Sequence, residues 1–91
     1  MNDQDLLKVY QMNEKYYWAD YSLEEAIQNF TKIVQQKIVD AKRLSIEELE
    51  NNWISLAQNW RNLEPGKYRF SFMLDYINNN FKHIQIFAVN L

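Results

Sequence analysis

The stretch LLKVYQMNEKYYWADYSLEEAIQNF, residues 6–30, decides the fold, because it predicts two strands followed directly by a helix. Residues 6–12 are apolar and β-favouring, residues 13–15 are polar, and residues 16–20 are mostly aromatic. Two β-favouring runs separated by a few polar residues are typical of an antiparallel hairpin. We therefore predict that residues 6–12 pair with residues 16–20.

A capping box follows the hairpin and predicts where the first helix begins. In Ser22-Leu23-Glu24-Glu25 the serine hydroxyl accepts from the amide of Glu25, and the Glu25 side chain reaches back to the serine amide. The apolar residues that follow have the spacing of an amphipathic helix: Leu23, Ala26, Ile27, Phe30, Ile33, Val34, Ile38 and Ala41. The pattern predicts a long helix ending near Lys37, Lys42 and Arg43, since cations stabilise a helix C-terminus.

A second capping box, Ser45-Ile46-Glu47-Glu48, predicts another helix, whose length the sequence leaves open. Apolar spacings of three and four residues suit a helix that continues to about Asn59. The same stretch also suits a helix that breaks at Asn51-Asn52 and is followed by a strand over residues 53–57, because β-branched and aromatic residues fit either state.

The last third of the chain begins with a turn at Glu64-Pro65-Gly66-Lys67, where proline fixes φ and glycine tolerates positive φ. The apolar pattern of residues 68–81 fits either a strand or a helix. We favour a helix over residues 70–79, ended by the asparagines at 78–80. Residues 84–89 are apolar on both faces, which predicts a central strand.

Together these elements predict an α+β fold in which a small antiparallel sheet packs on two or three helices. The sheet would contain the N-terminal hairpin and the C-terminal strand. The length of 91 residues suits one domain, residues 1–91, with one modest core. Hydrophobic residues make up 47% of the chain, and the apolar surface that they can bury is enough to offset the entropy of ordering the chain.

Net charge and composition exclude several functions. A charge of −2 gives no field that attracts a polyanion, which disfavours binding to nucleic acid or an anionic membrane. The absence of cysteine excludes disulfides and thiolate chemistry. The sequence contains no apolar run of the roughly 18 residues that a membrane helix needs, and its first residues lack a basic signal region. We expect a cytoplasmic protein without a membrane segment.

The sequence also lacks a recognisable catalytic set. His83 is the one histidine, and with scattered acids it does not supply the three or four ligands of a zinc site. A Ser-His-Asp arrangement would have to use His83, which we interpret as a surface or strand-edge histidine. Gly66 is the one glycine, which excludes the glycine-rich loops that hold phosphates. Paired acids such as Glu24-Glu25 occur in first helical turns, where they stabilise the helix dipole. We predict no catalytic residues, no metal and no cofactor.

Tyrosine and tryptophan are more abundant than a core of this size can bury, and both are enriched at interface hot spots. Our first candidate for a contact patch is the hairpin cluster Tyr16, Tyr17, Trp18 and Tyr21. The alternative is that alternate members of this cluster pack on the long helix.

A second candidate contact region combines bases and aromatic rings. Trp60, Arg61 and Arg69 are its candidate partner-binding residues, together with the neighbouring Lys67 and Tyr68. Such interleaving can hold single-stranded nucleic acid by stacking and charge together, although the charge of the whole chain opposes it.

The motif WADYSLEEA at residues 18–26, the block at residues 68–74 and the closing residues 86–88 resemble a family of small phage and prophage proteins of uncharacterised function. The resemblance extends from about Lys8 to Ala88. Small stand-alone phage proteins of this size include anti-CRISPR and other anti-defence inhibitors that act by binding. The resemblance therefore implies a phage-borne accessory protein with a protein partner.

Our leading hypothesis is a protein-binding inhibitor of a host defence complex, which acts by steric occlusion and is not an enzyme. The alternatives are an immunity or antitoxin-like protein that neutralises a cognate toxin, and a small nucleic-acid-binding module. A homodimer is compatible with each, because the apolar stripe from Ile46 to Trp60 could pair with its own copy.

Overall fold

The computed structural model of the chain describes residues 6–80 and 85–89. The elements are β1 (Lys8–Met12), β2 (Tyr16–Asp20), α1 (Leu23–Val34), β3 (Ala41–Arg43), α2 (Ile46–Asn51), β4 (Trp53–Leu56), β5 (Gly66–Arg69), α3 (Phe70–Asn80) and β6 (Gln85–Val89). The predicted α+β class is confirmed. Within the described ranges, no helix is both long and apolar enough to cross a bilayer.

The N-terminal hairpin forms as predicted, with Met12 opposite Tyr16 at its closed end. Asn13 and Glu14 both have positive φ, 54° and 60°, and the Lys15 amide donates to the Met12 carbonyl at 3.2 Å. Positive φ at two successive residues, together with this hydrogen bond, is typical of a type I′ turn. Because Met12 pairs with Tyr16, the loop between the strands has three residues, 13–15, and the turn occupies the first two of them.

The main sheet has four antiparallel strands in the order β3-β1-β2-β6. The predicted last strand is confirmed, but its predicted central position is wrong. The hairpin strands occupy the centre because β3 pairs with β1 on one side and β6 pairs with β2 on the other.

Helix α1 begins at the predicted position, and the Ser22 hydroxyl accepts from the amide of Glu25 at 3.1 Å, which is the serine half of the predicted capping box. It ends at Val34, so the predicted extension to Ile38 and Ala41 is wrong. Gln35 adopts the left-handed conformation, φ 61°, which terminates the helix.

Asn13 provides the physical reason why the chain leaves α1 so early. Its side-chain Nδ2 donates to the carbonyl of Lys37 at 2.9 Å, and its Oδ1 accepts from the amides of Val39 and Asp40 at 2.7 and 3.2 Å. These bonds hold residues 37–40 against the hairpin turn and direct the next residues into β3. Lys37, predicted near the helix end, therefore lies in a loop.

The structure decides between the two predictions for the second helix, one continuing to about Asn59 and one breaking at Asn51-Asn52. Both halves of the predicted capping box at Ser45 and Glu48 are present. The helix ends at Asn51, because Asn52 is extended, and β4 follows immediately. The version with a helix continuing to Asn59 is wrong, since residues 53–56 pair with β5. The predicted turn at residues 64–67 is also wrong in its second half, because Gly66 and Lys67 belong to β5.

The core lies on both faces of the main sheet. On one face, α1 covers the cluster Tyr10, Met12, Trp18, Ala26 and Phe30. On the other face, the cluster Val9, Leu44 and Phe70 is flanked by Tyr17, Leu49, Ile54 and Leu74. Because side chains alternate along a strand, neighbouring residues of β1 and β2 join different clusters. Helix α3 over residues 70–80 agrees with the predicted helix over 70–79.

Candidate interaction surface

The four hairpin residues predicted as a contact patch do not form one surface. Tyr16 contacts Phe30 edge-to-face, with ring centroids 5.3 Å apart, whereas Tyr17 contacts Phe70 at 4.9 Å. Phe30 belongs to α1 and Phe70 to α3, so the two tyrosines lie on opposite faces of the sheet. The arrangement agrees with the alternative interpretation, in which alternate members of the cluster pack on the long helix, here α1; Tyr17 packs on α3 instead.

Trp18 is fully buried and is therefore not an accessible contact residue in this fold. Its ring meets Phe30 at 5.7 Å, and its Nε1 donates to Asp20 Oδ2 at 3.2 Å. Tyr21 lies just beyond β2, half-buried, where its carbonyl accepts from Lys8 Nζ at 3.1 Å. The predicted patch is thus mainly a structural element that joins the sheet to its helices.

A different set of rings forms a continuous row, which we call the aromatic row and define as Tyr68, Phe72, Tyr76 and Trp60. Tyr68 and Phe72 stack with centroids 5.5 Å apart and planes 19° apart, and Phe72 and Tyr76 stack at 6.3 Å and 9°. Trp60 follows at 6.5 Å from Tyr76 in a tilted arrangement. Phe72 is 47% exposed, whereas Tyr68, Tyr76 and Trp60 are half-buried, so the row lies at the edge of the fold and not in the core.

Three residues of the row, Tyr68, Phe72 and Tyr76, recur every four positions from β5 into α3, and Trp60 joins them from the loop between β4 and β5. Phe72 and Tyr76 are neighbours on one side of α3, since residues four apart on a helix are adjacent. Phe70, Met73 and Ile77 are buried on the other side of the same helix. The spacing was therefore a readable signal, but sequence analysis used the core stripe and did not single out Phe72.

Hydrogen bonds from their hydroxyl groups fix the two tyrosines of the row. The Tyr68 hydroxyl donates to the carbonyl of Glu64 at 2.7 Å, and the Tyr76 hydroxyl donates to the carbonyl of Arg61. Each bond connects the row to the loop between β4 and β5. The rings are therefore held in place before any partner arrives, which lowers the entropy cost of binding.

Trp60 and Arg61 belong to a tight turn in that loop. Trp60 and Leu63 exchange two backbone hydrogen bonds, at 2.8 and 3.0 Å, around Arg61 and Asn62. Both intervening residues have positive φ, 44° and 74°, as a type I′ turn requires. The Arg61 guanidinium carbon lies 5.5 Å from the centroid of the Trp60 ring.

Arg69 is close to a different tryptophan, on the opposite face of β5 from Tyr68. Its guanidinium carbon lies 4.6 Å from the Trp53 ring centroid, which fits a cation–π contact. Its Nη1 also donates to the carbonyl of Glu50 at 2.7 Å. The structure thus brings Trp60 and Arg61 together, as their sequence positions suggest, but it pairs Arg69 with Trp53.

The stacking of the row determines what the row can offer to a partner. Phe72 has a nearly parallel ring on each side of it in the row, and 47% of the residue remains exposed. Ring edges carry the positive end of the aromatic quadrupole, which attracts carbonyl oxygens and the faces of other rings. Both groups are abundant on protein surfaces, and the row is suited to contact them.

Groups for chemistry are sparse among the described residues. No three histidine or acidic residues there lie close enough to hold a metal ion, and His83 lies outside the described ranges. Glu48 has its pKa lowered mainly by a hydrogen bond from Lys42, at 2.8 Å, and also by the Ser45 amide. These contacts serve helix capping, which explains Glu48 without a catalytic role.

A groove of about 600 Å³ lies between β1, α2 and α3. Its lining combines apolar side chains, among them Leu7, Leu44 and Leu49, with the polar side chains of Lys8, Arg43, Ser45, Asp75 and Asn78. The Asn78 amide already pairs with the backbone of Leu7.

Comparison of the chain with protein-family models, curated proteins and solved structures gives no match. The assignment of a function therefore depends on the geometry of this chain alone.

Proposed function

We propose that the chain is a protein-binding module that uses the aromatic row as its contact surface. The observation that carries the proposal is that three stacked aromatic rings and a fourth, tilted ring form a row at the surface, in which both tyrosines are held by hydrogen bonds to the loop between β4 and β5. Tyrosine and tryptophan combine a large contact area with few rotatable bonds, so they dominate the energy of many protein interfaces.

The shape of the row favours a protein over single-stranded nucleic acid as the partner. Nucleic-acid platforms present ring faces on which bases stack. In this row, Phe72 already stacks with Tyr68 and Tyr76, which leaves less of its ring for a base to stack on. The net charge of −2 also opposes a polyanionic partner.

The biological role that we propose is inhibition by occlusion, in which the module covers a surface that its partner needs. The resemblance to small phage proteins suggests that this partner belongs to a host defence complex. An immunity protein would use the same kind of surface against a toxin. The identity of the captured protein, a defence component or a toxin, distinguishes the two roles.

The test is a pull-down from lysate of the native host with the tagged chain, followed by affinity measurement on the purified partner. The double variant Phe72→Ala/Tyr76→Ala removes two adjacent rings of the row. We expect this variant to weaken binding by at least about 2 kcal/mol, which is the scale of interface hot spots.

A matched control removes exposed apolar side chains that lie elsewhere. Ile33 and Ile46 are 59% and 80% exposed and do not belong to the row. The double variant Ile33→Ala/Ile46→Ala should bind like the unmodified chain. Equal binding by the row variant and the control variant would show that the row is not the contact surface.

Single-stranded nucleic acid is the second candidate, favoured by the arginines beside Trp60 and Trp53. This function predicts binding that weakens steeply with salt, because cations on the protein displace counterions from phosphates. A mobility shift at low salt that the variant Arg61→Gln/Arg69→Gln abolishes would support it. No shift at low salt would eliminate it.

A further inference from the structure

The outer edge of β4 has backbone groups that its own sheet does not use. The amide of Phe70 donates to the carbonyl of Asn52 at 2.9 Å, so this opposite pair is hydrogen-bonded. Hydrogen-bonded and non-hydrogen-bonded pairs alternate along an antiparallel ladder. Trp53 and Ser55 therefore occupy non-hydrogen-bonded positions, and their N–H and C=O groups point away from β5.

In the part of the chain that the structure describes, β5 is the one element that packs extensively along β4. β5 itself also contacts α2 and α3. The small sheet formed by β4 and β5 has only these two strands in the described residues. A row of outward-pointing backbone donors and acceptors is a template on which a further strand can form.

The side chains of β4 do not protect this edge. Proteins commonly protect an exposed edge strand with charged residues, lysine above all, or with proline. β3 has the sequence AKR and β5 the sequence GKYR, so both contain such charges. β4 has the sequence WISL, with neither a charge nor a proline.

We propose that β4 pairs with β4 of a second copy of the chain, in an antiparallel arrangement centred on Ile54. In this register, Trp53 lies opposite the partner's Ser55, and Ser55 lies opposite the partner's Trp53. Both pairs then join residues whose backbone groups point outward, which is the condition for a hydrogen-bonded pair. The two small sheets become one sheet of four strands.

The second copy fits this edge because the register is self-complementary. A two-fold axis through Ile54 satisfies both strands with the same set of residues, as an isologous dimer requires. No like charges face each other within the paired strands, since β4 is uncharged. The paired edge has only four residues, so the dimer should be weak and should form only at high protein concentration, towards the millimolar end of the range.

Sedimentation velocity from micromolar to millimolar concentration tests the proposal on the complete chain. We expect the unmodified chain to change from monomer to dimer across this range. Ser55→Lys places a charge on the paired edge and should keep the chain monomeric. Gln58→Lys, which adds the same charge just beyond β4, is the matched control and should dimerise like the unmodified chain.

Ser55→Pro provides a second variant that acts on the backbone. Proline removes the outward N–H of residue 55, which β5 does not use, and edge strands tolerate proline at such positions. Circular dichroism should show that the variant folds, and sedimentation should show a monomer. A chain that stays monomeric at millimolar concentration, or a dimer that persists in both Ser55 variants, would overturn the proposal.

The dimer and the aromatic row are independent, because no residue of the row belongs to β4. The variant Phe72→Ala/Tyr76→Ala should therefore dimerise normally, so that failure of one proposal leaves the other testable.

Discussion

The side-chain amide of Asn78 pairs with the backbone of Leu7 as a second strand would. Its Oδ1 accepts from the Leu7 amide at 2.7 Å, and its Nδ2 donates to the Leu7 carbonyl at 3.2 Å. The pair is buried and joins the start of the chain to α3, 71 positions away. The sequence suggested that Asn78 ends a helix, whereas the structure uses it to hold two distant segments together.

We therefore expect Asn78→Leu to lower the free energy of unfolding by about 2–4 kcal/mol, because it leaves both buried backbone groups of Leu7 unsatisfied. The same change at the exposed neighbour Asn79 should stay within about 0.5 kcal/mol. Urea unfolding followed by circular dichroism measures both. Equal effects at the two positions would mean that the pair with Leu7 contributes little.

A second buried polar contact joins β2 to α1. The Asp20 carboxylate accepts from Trp18 Nε1, from the Tyr21 amide at 2.8 Å and from Asn29 Nδ2 at 2.9 Å. Asp20→Ala should destabilise the fold by about 2–4 kcal/mol, since it leaves a buried indole N–H unpaired. Asp75→Ala, at an exposed position of α3, is the control. Thermal unfolding with near-ultraviolet circular dichroism of the tryptophans would show the loss, and unchanged melting would contradict it.

The hairpin turn allows a prediction in which two neighbouring changes have opposite signs. Glu14 has φ 60°, a conformation that costs a non-glycine residue energy. Glu14→Gly creates Asn-Gly, the favoured pair for a type I′ turn, and should raise stability by about 0.5–1 kcal/mol. Lys15→Gly adds glycine where φ is not positive and should lower stability by about 0.5–1 kcal/mol. Thermal melts of both variants measure the two changes in stability. If both changes have the same sign, the turn is assigned wrongly.

The pair of Lys42 and Glu48 should be visible in titration. Lys42 lowers the pKa of Glu48 and Glu48 raises the pKa of Lys42, in each case mainly through their hydrogen bond. The glutamate contribution to stability is present above the ordinary glutamate pKa and is lost as the pH falls through the lowered value. Lys42→Met should shift the Glu48 pKa upward in a carboxyl NMR titration, whereas Lys32→Met should not. Both groups are exposed, so salt should weaken the effect.

The parts of the fold that sequence reasoning found are those that local interactions determine. The hairpin and the start of α2 follow from residues within a few positions, such as Ser45 and Glu48. The end of α1 was missed because Asn13 determines it from outside the helix. The small sheet was missed because β4 pairs across a loop with β5, and the apolar spacing of β4 alone also fits a helix.

The candidate site was found only in part, for a related reason. Trp60 and Arg61 were singled out by type and spacing, and the structure places Trp60 in the aromatic row. Trp18 was chosen as an exposed contact, yet alternation along β2 places it in the core. Composition shows that there are more aromatic residues than a core needs, but only tertiary packing determines which of them remain exposed.

Two phenylalanines on α3 test whether the aromatic row is dispensable for folding. Phe70 is 3% exposed and belongs to the core, whereas Phe72, two positions later, is 47% exposed and belongs to the row. Phe70→Ala should cost about 3–5 kcal/mol, as large-to-small changes in a core do. Phe72→Ala loses two ring contacts at the surface and should cost no more than about 1–2 kcal/mol.

Urea unfolding of the two variants, monitored by circular dichroism, measures this difference. If Phe72→Ala is as destabilising as Phe70→Ala, the row is part of what holds the fold together, and its exposure needs no partner to explain it. If Phe72→Ala is mild, the chain keeps a large aromatic side chain at a position where folding does not require it. A mild effect would show that the row can be changed without unfolding the chain, so that a loss of binding by Phe72→Ala/Tyr76→Ala reports on the contact surface itself.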